Sequence, residues 1–544
     1  MQPQGGGPRS LRRCIALIVT VLGLALAGAV LPSVANAEAL DEALTQLTAN
    51  SFEETEKAID RIAASGSPRA AAILEALSDR RAFTNGSVVF YKNATGQPLD
   101  FVTGQPLNDA PSDARAVRTN NRLRGAIVAA LGGLRLKDAD PDKRRQAAEA
   151  VMRARDLGVL PALRAALNAE KNQTVSKAFR EAEAALVLSS SGASEDEKLK
   201  AIAVLRDRSD QDAIAMMRAA TGDKTASVSS AAKSAIAAVE QSLKYREALQ
   251  NLWYGISLGS VLLLAAIGLA ITFGVMGVIN MAHGEMVMLG AYTTFLVQEA
   301  FRTYAPGAFD LSLPVALPLA FVVAGGIGII IERGIIQYLY GRPLETLLAT
   351  WGVSLILQQA VRTAFGPTNR EVGNPSYMSG AFEFLGLQIT YGRLWIVVFT
   401  LAVFGSLLLL LRATPLGLQM RAVSQNRRMA ASMGIPTARV DALTFGLGSG
   451  IAGLAGVAIS QIDNVSPNLG QGYIIDSFMV VVFGGVGNLW GTLVSAFALG
   501  ITNKLLEPAV GAVLAKILIL VLLILFIQKR PRGLFALKGR AVEQ

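Results

Sequence analysis

The chain has 544 residues, 52% of them hydrophobic and only 17% charged, with a mean hydropathy of +0.41. The net charge of +10 divides as +3 over residues 1–37, +1 over 38–250 and +6 over 251–544, so no basic domain exists and a nucleic-acid partner is excluded. Cys14 and His283 are the only residues of their kinds, which removes disulfides, CxxC sites, cysteine nucleophiles and multi-ligand zinc sites from consideration, and no GxxxxGK[ST] phosphate loop occurs.

Arg9, Arg12 and Arg13 precede an apolar run, Cys14 to Val30, followed by the small-residue triplet Ala35-Asn36-Ala37. That order predicts a secretory signal over 1–37, cleaved before Glu38. The run is short for a span, though a retained first anchor is the alternative. Either way the following block is exported, and cleavage would remove Cys14 and leave a mature chain without a thiol.

Residues 38–250 are rich in Ala, Leu, Arg and Glu at helical spacing. Arg69–Leu77, Leu160–Leu167 and Asp212–Ala220 resemble one another. The last two are each followed by a second amphipathic stretch, Val175–Leu188 and Val228–Leu243, about 52 residues apart. This pattern predicts stacked helix pairs of the HEAT-like kind. Ser87–Tyr91 and Leu99–Val102 flank a turn containing Asn93 and Gly96, which predicts one inserted β-hairpin. Acids and bases are evenly mixed with no catalytic constellation, so the block reads as a docking scaffold.

From Ala248 to Ala282 no residue is charged, which predicts a first transmembrane span over Leu252–Ile279. Further spans are predicted near Gly284–Phe301, Leu313–Ile331, Thr346–Phe365, Leu394–Leu411, Ala442–Gln461 and Val513–Gln528. The segment 478–500 is interrupted by Gly484, Gly485, Gly487 and Asn488, and reads as a re-entrant hairpin or two half-helices. Arg412, Arg421, Arg427, Arg428 and Arg439 cluster in one loop, and Lys529, Arg530, Arg532, Lys538 and Arg540 in the tail. Both clusters belong on the cytoplasmic side. An exported N-terminal block then requires an odd number of crossings: seven with a re-entrant hairpin, or nine. The expected fold is all-α, a polytopic membrane bundle over 251–544 preceded by the exported repeat domain.

Two constellations stand out. Val278–Gly284, VINMAHG, followed by Glu285, is the densest polar spot in the apolar block. If helical, Asn280 and His283 share a face. Counting about 20 residues from Tyr254 places this break near the cytoplasmic interface. It reads as a conduction lining, or as an interhelical hydrogen-bond knot. The loop Thr414–Pro436 is basic and bounded by Pro and Gly, and fits a short helix that docks on a cytoplasmic protein. Positive-inside anchoring needs only its arginines. The small residues Gly417, Ala430, Ala431 and Gly434 suggest that a partner approaches closely.

VINMAHGEMVMLGAY (278–292), the 417–434 segment containing MRAVSQNRRMAASMG, and FGGVGNLWG (483–491) together resemble the permeases of the branched-chain amino-acid family of ABC importers. The exported extension ahead of them resembles the family's urea-transport permease. The resemblance implies a permease without cofactor or metal in a bacterial inner membrane. Its partners would be two ATPase subunits, a homologous second permease and a periplasmic solute-binding protein. It places Asn280, His283, Gly284 and Glu285 near the pathway, along with Gly485 and Asn488 of the glycine-rich segment. It also places Arg421, Asn426, Arg427, Ala430 and Gly434 in the helix that couples to the ATPase. One departure is that Arg428-Met429 stand before Ala430-Ala431, where ABC importers often carry a glutamate. The solute read from this is urea, with branched-chain amino acids or short amides as the alternative within the family. From other classes, a membrane-anchored receptor or scaffold and a uniport channel remain as rivals.

Overall fold

The computed structural model describes residues 40–535, apart from 41, 48–50, 66, 68, 86–87, 94–95, 102, 108–110, 112–113 and 385. The expected leader at 1–37 with Cys14, the hairpin ends Ser87 and Val102, and the tail residues Lys538 and Arg540 lie outside the described residues. The chain divides into two compact units, Met1–Leu243 and Lys244–Gln544.

The first unit contains α1 (Phe52–Ala64), α2 (Ala70–Ser78), α3 (Asn121–Arg135), α4 (Pro141–Ala154), α5 (Leu160–Ala169), α6 (Gln173–Ser189), α7 (Glu195–Arg208), α8 (Gln211–Ala220) and the start of α9 (Ala226–Met276). Short polar residues begin these helices by accepting from the first free backbone N–H groups. Asn120 accepts from Leu123, Asn172 from Thr174, and Asp210 from Ala213, while Ser194 and Glu197 form a reciprocal capping box. One core joins Ile59, Leu74, Phe101 and Ile127. A second joins Phe179, Leu186, Leu205, Met217 and Val239. The 52-residue spacing corresponds to α5–α6 and α8–α9, with the single helix α7 between them.

The expected hairpin is present as β2 (Val89–Lys92) and β3 (Pro98–Asp100), paired antiparallel with Tyr91 opposite Leu99. The Asn93 side chain accepts from the Gln97 backbone at 2.9 Å, and Gly96 takes φ +85° in the turn. The hairpin is part of something larger, which corrects the sequence reading. The strands β1 (Ala82–Thr84) and β4 (Arg115–Ala116) extend it to a four-stranded sheet in the order β3-β2-β1-β4. At three and two residues, neither is long enough to show a period-two pattern.

The second unit continues α9 and adds α10 (His283–Tyr304), α11 (Ser312–Gly334), α12 (Pro343–Phe365), α13 (Tyr391–Ala413), α14 (Pro415–Gln425), α15 (Arg427–Ser432), α16 (Thr437–Ser460), α17 (Leu469–Gly484), α18 (Leu489–Val510) and α19 (Ala512–Lys529). Among the described residues, six helical stretches are long and apolar enough to cross a membrane: α9, α11 with its flanking 3-10 turns, α13, α16, α18 and α19. Of the two sequence readings of 478–500, a re-entrant hairpin or two half-helices, the glycine break is present at 485–488 but the segment is not a self-contained hairpin. It holds the end of α17 and the first half of α18, whose 22 residues are themselves span-length. A second strand pair, β5 (Ala381–Phe384) with β6 (Leu387–Thr390), precedes α13 and is a further exception to the all-α expectation.

Helix α16 lies at the centre of this unit, with nearly every residue from Val440 to Ser460 buried. Its glycines let backbones meet without intervening side chains, the packing mode that replaces hydrophobic burial in lipid. At Gly453 an added Cβ would stand 2.6 Å from the Ala320 carbonyl of α11, and at Gly448 it would stand 2.7 Å from the Gly268 carbonyl of α9.

Candidate functional site

Helix α9 ends at Met276, and residues 277–282 are not helical. Gly277 takes φ +67°, a left-handed turn that glycine adopts without strain. The chain then doubles back. His283, the first residue of α10, bonds through Nε2 to the Ala265 carbonyl at 2.8 Å. Ala265 lies eleven residues before Met276, roughly 16 Å along the helix axis. This corrects two sequence readings. The break does not stay at the end of the first span, and Asn280 and His283 do not share a helical face, because Asn280 precedes the helix. Asn280 instead accepts from the Ala282 backbone N–H at 3.0 Å.

Broken backbone inside an apolar bundle needs polar partners, since lipid supplies none. Helix α12 supplies them. Thr346, Thr350, Ser354 and Gln358 recur every four residues and are all buried, whereas Leu344, Leu348 and Ile356 on the opposite side are exposed. Thr350 Oγ1 accepts from Met281 N–H at 3.1 Å. Ser354 Oγ and Gln358 Nε2 donate to Glu285 Oε1 at 3.0 and 2.8 Å. Glu285 Oε2 and Asn280 Nδ2 are buried and without a partner among the described residues. Beside them, Gly284 crosses Gly470 of α17 so closely that a Cβ would run into the Gly470 carbonyl. The cluster thus offers an acceptor and a donor inside the bundle. The described residues hold no group of three or more His, Cys, Asp or Glu able to bind a metal. Sequence reasoning missed Thr350 and Ser354. The four-residue polar spacing in an otherwise apolar helix was the available signal.

Gly485 and Asn488 form a different site. Gly485 closes α17 at φ +102°, and a Cβ there would stand 2.8 Å from the Phe535 carbonyl. Asn488 caps α18 by accepting from Gly491 N–H at 3.1 Å, and its Nδ2 donates to the Phe535 carbonyl at 3.2 Å. The neighbouring Gly487 packs against Gly274 near the end of α9. Both residues therefore fasten the C-terminal segment to the α17–α18 turn.

The basic loop is two helices, α14 and α15, rather than one. Asn426 breaks them with extended backbone, and its side chain accepts from Met429 N–H at 2.9 Å to start α15. Arg421 donates to the Leu411 carbonyl at 2.9 Å. Arg427 turns inward: it pairs with Asp441, which is fully buried, and its guanidinium stacks 4.1 Å over the Tyr340 ring. The Tyr340 hydroxyl donates to Glu332 Oε1 at 2.9 Å. One network therefore links α11, α15 and α16.

The small residues here serve the chain's own fold. A Cβ at Gly417 would strike the Leu411 carbonyl, Ala430 is buried, and Gly434 takes φ +83° with open space around it. Of the expected partner-facing small residues, Ala431 alone is an exposed residue with a side chain. The large exposed apolar side chains of the loop are Leu418, Met429 and Met433, the last 77% exposed. Charge and helix punctuation pointed to this loop, but could not indicate which side chains face outward.

The family described as the permease component of the branched-chain amino acid transport system matches residues 251–527. The high-affinity branched-chain amino acid transport permease LivH of Escherichia coli is 32% identical over 295 residues, covering 53% of this chain and 94% of that protein. The corresponding permease BraD of Pseudomonas aeruginosa is 30% identical over 293 residues, covering 53% and 95%. The ribose import permease RbsC of Haemophilus influenzae is 23% identical over 257 residues, covering 46% and 74%. No solved structure matches the chain.

Proposed function

We propose, for a chain that belongs to the branched-chain amino acid permease family, that it is the permease subunit of an ATP-driven importer of a small polar solute, urea before others. In this reading the chain lies in a bacterial inner membrane with residues 38–250 periplasmic and the C-terminus cytoplasmic. Residues 38–250 form a HEAT-like docking scaffold there, behind a cleaved signal. The importer also contains a homologous second permease, two ATPase subunits and a periplasmic solute-binding protein. Asn280, His283, Gly284 and Glu285 line or shape the path, and Gly485 and Asn488 hold its inner end in register. The Arg421–Gly434 helices couple to the ATPase, with Leu418, Met429 and Met433 as the contact face.

The observation that carries the reading is the inverted helix α12. Its threonine, serine and glutamine stripe is buried against Glu285 while its leucines face outward. A helix packed that way keeps polar groups inside a lipid-facing bundle, where an ionisable residue marks a path or a partner. Nucleotide-driven movement of α14 and α15 would reach the bundle through Arg427 and Asp441, shifting the population between two packings.

The second reading, branched-chain amino acids as the solute, is favoured by the names of LivH and BraD. The test is uptake of labelled urea and labelled leucine by vesicles carrying the full complex. ATP-dependent urea uptake is expected. Uptake that persists without the ATPase subunits overturns the ATP-driven reading. A preference for leucine replaces the solute and leaves the permease.

A further inference from the structure

Helix α17 has two working faces. Gly470 meets Gly284 on one of them. On the other, Leu469, Gly472, Tyr473, Asp476 and Met479 recur at three- and four-residue spacing along one wall of a cavity of about 440 Å3. The remaining walls come from α9, α18, α19, the segment before α17 and, at Asn369, the segment after α12. Asp476 is the only charged residue in α17, and Lys516 is the only one in α19 before its last residue. Their side chains pair at 2.9 Å, with Asp476 11% exposed and Lys516 52%. Charges placed in otherwise apolar helices are costly and are kept where a path or ligand uses them. Four carboxamides, Asn369, Asn464, Asn468 and Asn503, line the same space, and each can both donate and accept.

We propose that this cavity is a solute subsite of the permease, in which Asp476 and Lys516 part to take the N–H donor and the oxygen acceptor of one small solute. The inference rests on the importer reading above and deepens it. Asp463 and the Lys504–Glu507 pair also line the cavity, and within it the Asp476–Lys516 pair offers a carboxylate for N–H groups and an ammonium for a carbonyl or carboxylate oxygen. That chemistry is shared by urea and by an amino-acid zwitterion. The volume lies in the range of small-molecule sites. The cavity adjoins the Gly284–Gly470 crossing, so a solute released from it is one helix away from Glu285.

The test uses vesicles containing the complete complex and its binding protein, with labelled urea in one arm and labelled leucine in the other. The readout is solute moved per ATP hydrolysed. For whichever solute the unaltered complex carries, Asp476→Asn and Lys516→Met should each lower that ratio tenfold or more. ATP hydrolysis stimulated by the binding protein should stay within twofold. An unchanged ratio, or uptake and hydrolysis falling together as for a purely structural pair, overturns the inference. If Asp476→Asn fails to assemble, Asn503→Leu decides, because it fills the cavity and leaves the pair intact: a tenfold fall supports the subsite and a normal ratio overturns it. An unaltered complex that carries neither solute overturns the importer reading itself.

Discussion

Helices α6 and α12 use the same period for opposite ends. In α6, Phe179, Leu186 and Val187 are buried, and Gln173, Thr174, Lys177 and Arg180 are exposed. In α12, Thr350, Ser354 and Gln358 are buried, and Leu344, Leu348 and Ile356 stand exposed. The first pattern removes apolar surface from water, and the second removes hydrogen-bonding groups from lipid. The difference shows that a helical repeat alone does not say which face is inside. The composition around it does, and it changes sharply near residue 250.

The largest expected effect is at the helix crossing that this inverted packing permits. Gly284→Leu places a side chain into the Gly470 carbonyl, and glycine crossings have no slack for a branched residue. Loss of assembled, transport-active complex is expected, read by size-exclusion chromatography and uptake; normal uptake would break the account of the crossing. Next is the inward-turned arginine. Asp441→Ala leaves Arg427 without its buried partner; because Arg427 is 39% exposed and its charge reaches solvent, the loss should fall below the about 3–5 kcal/mol of a fully buried broken pair. The double change Arg427→Met with Asp441→Leu should recover most of the lost thermal stability. Failure to recover would mean the pair does more than hold α15 to α16.

A charge-scan separates the two units directly. Leu348→Lys on the exposed face of α12 should cost roughly 2.5–3.5 kcal/mol if that face meets lipid. Leu157→Lys, on an exposed leucine of the first unit, should fall within about 0.5 kcal/mol of zero. Equal costs would erase the contrast.

The smallest effect is a pH response confined to the first unit. Arg144 donates to both oxygens of Glu170 at 2.7 and 3.1 Å and holds that carboxyl below the usual carboxylate range, helped by backbone N–H groups of Asn172 and Lys171. Lys198 does the same for Asp223, with Thr225 assisting. A carboxyl whose folded pKa is depressed contributes stability above its unfolded pKa and loses it as pH falls through the folded value. The protection factors of α4 and α6 amides in the whole chain, exchange rates referred to their base-catalysed intrinsic values at each pH, should therefore fall on acidification, and Glu170→Gln should flatten that dependence. An unchanged slope in the variant would remove Glu170 as the cause.

Much of this was legible in the sequence. The uncharged run before Ala282, the VINMAHG break and the arginine loop all read correctly as apolar helix, polar interruption and punctuated amphipathic segment, because each has a composition unlike its neighbours. What escaped was three-dimensional. The reversal that brings His283 beside Ala265 depends on Gly277 and on Thr350, which is distant in sequence. The inward turn of Arg427 depends on Asp441 and Tyr340. Gly417 and Gly434 looked like clearance for a partner, but they are small for backbone reasons. The short strands β1 and β4 pair only because the hairpin between them already exists.

The most direct test of a lipid-embedded conduit driven from one side is the sidedness of the arginine loop. Met433→Cys, in a Cys14→Ser background without other thiols, should resist a membrane-impermeant maleimide in intact cells. It should react once the inner face is opened, and become protected when the ATPase subunits are bound. Labelling from outside intact cells would contradict the account.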